Sequence, residues 1–194
     1  MKYACGFWLP DNDDHFAQFG PTYQSKIRNA ALDYVDNWSL AVDVGAHCGL
    51  WSCDLARRFV TIAAFEPQKE NLECLERNIP FNVCVYPVAL GDRASMGILK
   101  NQAPSNSGAW ELLPVAADGN IHVRTLDSFA LPMGLLKIDV QGSEERVLRG
   151  AEKTLKEYSP VVVVEDNGTG AIGYLLSLGY EERARVRRDV VLTK

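Results

Sequence analysis

Short apolar runs alternate with stretches of helical spacing along most of the chain, a pattern that predicts parallel strands joined by crossover helices. Tyr23 to Trp38 reads as an amphipathic helix (Ile27, Ala30, Ala31, Tyr34, Val35) leading into a first strand that begins at Leu40. A helix with Leu50, Leu55 and Phe59 on one face follows it. Val60 to Phe65 reads as a second buried strand, and Pro67 then forces the chain out of the sheet. Leu72, Leu75 and Ile79 mark the next helix, and Val83 to Val88 the third strand. Leu135 to Asp139 and Val161 to Val164 read as two further buried strands around a helix expected from Gly142 to Tyr158. A helix near Ala171 to Leu178 stops at Gly179. The closely spaced strands Tyr180 to Val186 and Asp189 to Thr193 predict an antiparallel hairpin. Together these elements predict an α/β fold: a seven-stranded, mostly parallel sheet ending in an antiparallel hairpin, with helices on both faces.

Two segments break the pattern. Residues 1–22 are irregular and aromatic-rich, and are read as a segment apart that closes over the site as a lid. His15, beside Asp13 and Asp14, is its candidate functional residue. Residues 93–126 are rich in Gly, Asn, Ser and Pro, too long for a plain connection, and read as a functional excursion or a small antiparallel one. Residues 23–194 are expected to form a single domain.

Length and charge narrow the function. A chain of 194 residues supports one well-buried α/β domain. The net charge of −5 argues against an extended nucleic-acid surface. No apolar run approaches a membrane span, and no signal peptide is read at the N-terminus, so a cytoplasmic location without membrane partners is expected. The five cysteines lack a Cys-x-x-Cys pair and read as free thiols, with Cys48, Cys53, Cys74 and Cys84 in core elements.

The chemistry concentrates at strand ends. The first strand runs into Asp43-Val-Gly-Ala-His-Cys-Gly49, where Gly45 and Gly49 let backbone approach a ligand closely. This is a nucleotide cradle without the second close glycine of a dinucleotide motif, and Asp43 would repel a pyrophosphate. A ligand bearing a sulfonium, an ammonium and a ribose diol fits better, which points to S-adenosylmethionine. Glu66, at the end of the second strand, is the candidate ribose ligand, with Pro67 beside it. Ala89, Leu90 and Asp92 belong to a turn expected to flank adenine. Ala46 and His47 complete the donor loop; His47 either touches the methionine carboxylate or only shapes the turn.

The ordered set of motifs resembles the FkbM-type methyltransferases from about residue 23 to residue 194. The segments carrying it are Val42 to Gly49, Ala64-Phe-Glu-Pro67 with Asn71, Ala89-Leu-Gly-Asp92, Arg124-Thr-Leu-Asp127 and Leu136-Lys-Ile-Asp-Val-Gln-Gly142, then Glu144, Val147 to Ala151 and Pro160 to Glu165. His47 stands where the family usually has Asn, and Gln141 where it usually has Glu. The expected architecture fits a Rossmann-like class I methyltransferase. The resemblance implies S-adenosylmethionine-dependent O-methylation of a sugar, glycan or small-metabolite hydroxyl.

An aliphatic hydroxyl needs a base or a metal before it attacks a methyl group. In the class I strand order Asp139 and Glu165 fall at adjacent strand tips. Asp139 is the leading candidate for base or ligand of a divalent metal, with Glu165 as its partner; whether a metal takes part is left open. Glu144 is a third catalytic candidate, although an acid in a first helical turn is stabilising in any case. Two rival functions are a donor-binding module without turnover and a nucleic-acid methyltransferase.

Overall fold

The computed structural model describes residues 1–115 and 118–194. The chain opens with a hairpin, β1 (Lys2–Ala4) and β2 (Phe7–Leu9), and a short helix α1 (His15–Phe19). Residues 1–22, expected to be irregular, are thus structured. Leu9 and Phe16 are buried with Cys48, Leu50 and Cys74, a small core that welds the segment to the body. Period-three and period-two patterns this short leave little trace in a sequence.

Helix α2 (Ser25–Leu32) precedes β3 (Leu40–Val44), α3 (Leu50–Leu55), β4 (Thr61–Phe65), α4 (Lys69–Asn78) and β5 (Val83–Tyr86). The expected helix to Trp38 stops early, because Asp33, Asp36 and Asn37 compete for backbone hydrogen bonds and β-branched Val35 resists the helical turn. The excursion is a small sheet of β6 (Ala89–Leu90), β7 (Ser95–Asn101), β8 (Trp110–Val115) and β9 (Ile121–Arg124), in the order β6-β9-β7-β8. Then come β10 (Leu135–Ile138), α5 (Glu144–Arg149), α6 (Glu152–Tyr158), β11 (Val161–Glu165), α7 (Ala171–Ser177), β12 (Glu181–Val186) and β13 (Asp189–Thr193).

The main sheet has seven strands in the order β12-β13-β11-β10-β3-β4-β5. β3, β4, β5, β10 and β11 are parallel, and β13 pairs antiparallel with both β11 and β12. One core packs α5, α6 and α7 residues such as Val147, Leu155 and Leu175 on one face. The other packs Ile27, Leu55 and Leu75 from α2, α3 and α4 on the opposite face. Strand β5 is an edge, which explains why Cys84, expected in the core, is exposed.

The single helix expected from Gly142 to Tyr158 is two helices joined at Gly150. A Cβ at that position would lie 1.9 Å from the Gly91 carbonyl oxygen, so the joint lets the excursion dock against the helix pair. Asp127 caps the second helix by accepting from the Thr154 and Lys153 amides. Strand β12 carries a bulge between Glu182 and Ala184, and its Arg185 is paired with Glu182 and Asp166.

Candidate functional site

The parallel strands deliver their turns to one edge of the sheet, where a cleft of about 1060 Å³, open to solvent, lies over their carboxyl ends. Its floor comes from the turns after β3, β4 and β10. Its roof comes from His15, Phe16, Tyr23 and Gln24 on one side and Leu99, Asn106, Trp110 and Leu112 of the small sheet on the other.

The β3 turn is built by close backbone contact. Gly45 has φ +73°, and its amide and that of Ala46 donate to the Phe65 carbonyl at 2.9 and 3.0 Å. Gly49 has φ +93°, and α3 starts beyond it. Gly45, Ala46 and His47 all line the cleft.

Asp43 does not. It is fully buried one layer below, where Oδ2 accepts from Ser52 Oγ at 2.7 Å and Oδ1 pairs with Lys137 Nζ at 2.9 Å. Lys137 in turn donates to the carbonyls of Val44 at 3.3 Å and Gly45 at 2.7 Å. Of the two ways expected for Asp43 to serve the donor site, direct contact or action through the turn, its position allows the second: Asp43 holds Lys137, and Lys137 holds the turn. Burial lowers the proton affinity of this ammonium, but Asp43 and Asp139 outweigh it and the net shift is upward. The sequence shows a lysine between core residues of β10, and its pairing with Asp43 follows only from the register that sets the two opposite each other.

Glu66 and Pro67 line the cleft. Glu66 Oε2 accepts from the His47 amide at 2.8 Å and Oε1 from the Gln68 amide at 2.9 Å. Burial raises its pKa, and the two amides partly oppose the rise. A carboxylate has about four acceptor sites, so capacity for a diol remains. Asn71, a residue of the motif that carries the family resemblance, lines the same wall. Its Nδ2 donates to the Ser107 carbonyl at 3.0 Å, while its buried Oδ1 has no hydrogen-bond partner among the described residues. An unsatisfied buried acceptor costs about 1–3 kcal/mol and suits a ligand that brings a donor.

Ala89 and Leu90 line the cleft, whereas Asp92 points elsewhere: Oδ1 accepts from Arg146 Nη2 at 3.1 Å. Asp92, in the turn expected to flank adenine, is therefore outside the cleft wall, with one carboxylate oxygen held by Arg146 of α5. Burial and this pair act in opposite directions on Asp92, and its pKa is lowered.

Asp139 lines the cleft beside the β3 turn, with Oδ1 accepting from Gln141 Nε2 at 2.7 Å. Gln141 sits at φ +54°, and Gly142 at +105° completes the bend that aims Asp139 inward. Glu144, expected near the reaction centre, is fully buried behind the loop and is not part of the cleft wall. It accepts from the Val140 and Gly142 amides and from Asn167 Nδ2 at 3.3, 3.1 and 2.6 Å, so it organises the loop that carries Asp139. Glu165 stands outside the cleft wall at the next strand tip, its Oε1 3.9 Å from Arg188 Nη1. Burial, then Asp139, Glu144 and Asp189, push it up to about 7. Asp189, which the sequence left unassigned, is raised to about 6 by burial and Asp139, and Gln24 donates to it at 3.2 Å. Tyr23 is raised to about 12 by burial and by the same acids, so its phenol stays protonated at neutral pH. Among the described residues, no group of three or more His, Cys, Asp or Glu side chains is placed to hold a metal ion.

Comparison with known proteins supports one family. The methyltransferase FkbM domain model matches residues 43–181. A crystal structure of methyltransferase FkbM from Methylobacillus flagellatus KT is similar at a TM-score of 0.58 and 21% identity, covering 95% of this chain and 55% of that one. This chain therefore spans about half of that protein's length. The precorrin-6y C5,15-methyltransferase of Geobacter metallireducens GS-15 is similar at 0.58 and 17% identity, over 96% of this chain and 91% of its own. An rRNA methylase from Streptococcus thermophilus reaches 0.53 at 13% identity, over 90% of this chain and 95% of its own. At these identities the likeness shows the class I methyltransferase-like α/β fold. No curated protein matches the chain in sequence. Sequence motifs and the matched model agree, and the chain belongs to the FkbM methyltransferase domain family.

Proposed function

We propose that the protein is an S-adenosylmethionine-dependent methyltransferase acting on a hydroxyl of a sugar, glycan or small metabolite. The observation that carries this reading is the convergence of the β3 turn, Glu66 and Asp139 on one cleft. The wall residues fit the donor. Glu66 and the free Oδ1 of Asn71 accept from hydroxyl or amino groups, and Phe65, Val88, Leu90 and Leu112 give an apolar slot for a flat base. The bound donor supplies a methyl group on a positively charged sulfur, already a strong electrophile.

The chain's own task is to align the acceptor, exclude water and take a proton. Asp139 is the group we assign to the proton, since it alone of the three predicted acids lines the cleft. Asp139 would take the acceptor hydroxyl's proton as that oxygen displaces the donor sulfur from the methyl carbon, the carbon–sulfur electron pair leaving with the neutral thioether. Glu165, at the neighbouring strand tip and raised by burial and the Asp139 charge, is its partner in this reading. Roof residues Tyr23, Gln24 and Trp110 hold the acceptor. A cytoplasmic location and a single catalytic domain at residues 23–194 belong to the same reading; no described helix is long and apolar enough to cross a membrane.

The test is calorimetric titration with S-adenosylmethionine and S-adenosylhomocysteine, followed by methyl transfer to a panel of sugars and hydroxylated metabolites with and without magnesium. Asp139→Asn is expected to bind donor normally and to lose turnover. Unimpaired turnover in that variant would remove the assigned role. Donor binding with no turnover on any acceptor would favour a binding module instead.

A further inference from the structure

Two segments outside the β/α scaffold meet over the donor loop, and one buried serine joins them. Asn12 Nδ2 donates to the Pro104 carbonyl at 3.0 Å, and the amides of Asp14 and His15 donate to the Ser105 carbonyl at 3.0 and 3.3 Å. Beneath these contacts Ser107 is 2% exposed and Asp13 is fully buried. Ser107 donates its amide to Asp13 Oδ2 at 3.2 Å and its hydroxyl to the same oxygen. Its Oγ also meets His47 Nε2, and its carbonyl receives Asn71 Nδ2.

A hydroxyl has one proton, and here it is committed to Asp13. The contact to His47 therefore requires Nε2–H as the donor, which makes a directed chain: His47 Nε2–H to Ser107 Oγ–H to the Asp13 carboxylate. Burial also keeps the imidazole neutral, lowering its pKa more than the Asp13 carboxylate raises it. The order excludes a nucleophilic serine, since histidine gives a proton to Oγ rather than taking one.

We propose that Ser107 is a positioning residue of the donor site, clasping the N-terminal segment and the β7–β8 loop onto His47 and Asn71 so that the roof and the donor loop close as one unit. The chain of contacts crosses four separate parts of the sequence, at residues 12–16, residue 47, residue 71 and residues 104–107, so loosening one end frees the others. The proposal rests on the methyl-donor reading of the cleft for its ligand, but the clasp itself is visible without one.

Amide hydrogen exchange on the ligand-free protein and calorimetry with S-adenosylhomocysteine test it on the wild type, Ser107→Ala, Asp13→Asn and the double variant. Exchange is expected to accelerate together at residues 12–16 and 102–108 in every variant, with Val42, Ile138 and Val163 still protected. Product binding is expected to weaken about tenfold in each single variant, the scale of one hydrogen bond, and no further in the double one. Acceleration confined to one segment, unchanged affinity, or additive losses would overturn the proposal. If Ser107→Ala loses protection in the core strands too, Asp13→Asn decides alone. A wild-type protein that binds no product defeats the methyl-donor reading, and the exchange experiment still decides the clasp.

Discussion

Gly45 and the Asp139 carbonyl are in backbone contact: a Cβ on Gly45 would lie 2.0 Å from that oxygen. The turn after β3 and the turn that bears Asp139 are therefore fixed against each other by the absence of one carbon. Gly45→Ala must displace one turn and also strain a residue at φ +73°. The expected cost is about 2–4 kcal/mol of stability in urea unfolding, together with loss of donor binding. A variant that unfolds like the wild type and binds normally would mean that the turns separate easily.

Lys137 and Asp43 form an ion pair in which both side chains are nearly or fully buried. Lys137→Met strands the carboxylate in the core and is expected to destabilise by about 3–5 kcal/mol. Adding Asp43→Asn should recover much of that loss, because no bare charge then remains. Additive losses in chemical denaturation would contradict the pairing.

Glu66 supports two backbone amides as well as the cleft wall. Glu66→Ala is expected to weaken S-adenosylhomocysteine binding about 100-fold, near 3 kcal/mol, and to lower stability by about 1–3 kcal/mol through the orphaned amides. A stability loss with unchanged product affinity would confine Glu66 to a structural part.

Glu165 carries a pH signature. Its folded-state pKa of about 7 lies above the ordinary glutamate value, so the native state holds a proton that the unfolded chain releases. Its contribution to stability is fully present below about pH 4 and is lost as pH rises through about 7. Glu165→Gln removes this slope. Unfolding free energies measured from pH 5 to 8 should fall less steeply in the variant, by about 1 kcal/mol over the range. Parallel curves would show that the carboxyl is not buried enough to be perturbed.

The scaffold was legible in the sequence because its signals are long and repeated. Buried β-branched runs such as Val161 to Val164 and the glycine turn after Val44 leave few alternatives. What stayed hidden depends on partners distant in the chain. Asp43 sits at a strand end like any ligand-binding acid, and only its register opposite Lys137 turns it inward. Asp92 reads as a loop acid until Arg146 of another element reaches it. Glu144 carries the same helical-turn signature whether it faces substrate or, as here, the amides of its own loop. Asp13 and Ser107, which are 94 positions apart, share no local pattern that would link them.

The roof of the cleft and its floor come from different stretches of chain, and this separates two kinds of change. Substitutions at Tyr23, Leu99 or Trp110 reshape the space above Asp139 from outside the seven-stranded sheet. The shape of the space above Asp139 is thus set by the segment before α2 and the small sheet, while the seven-stranded sheet sets only what lies beneath it.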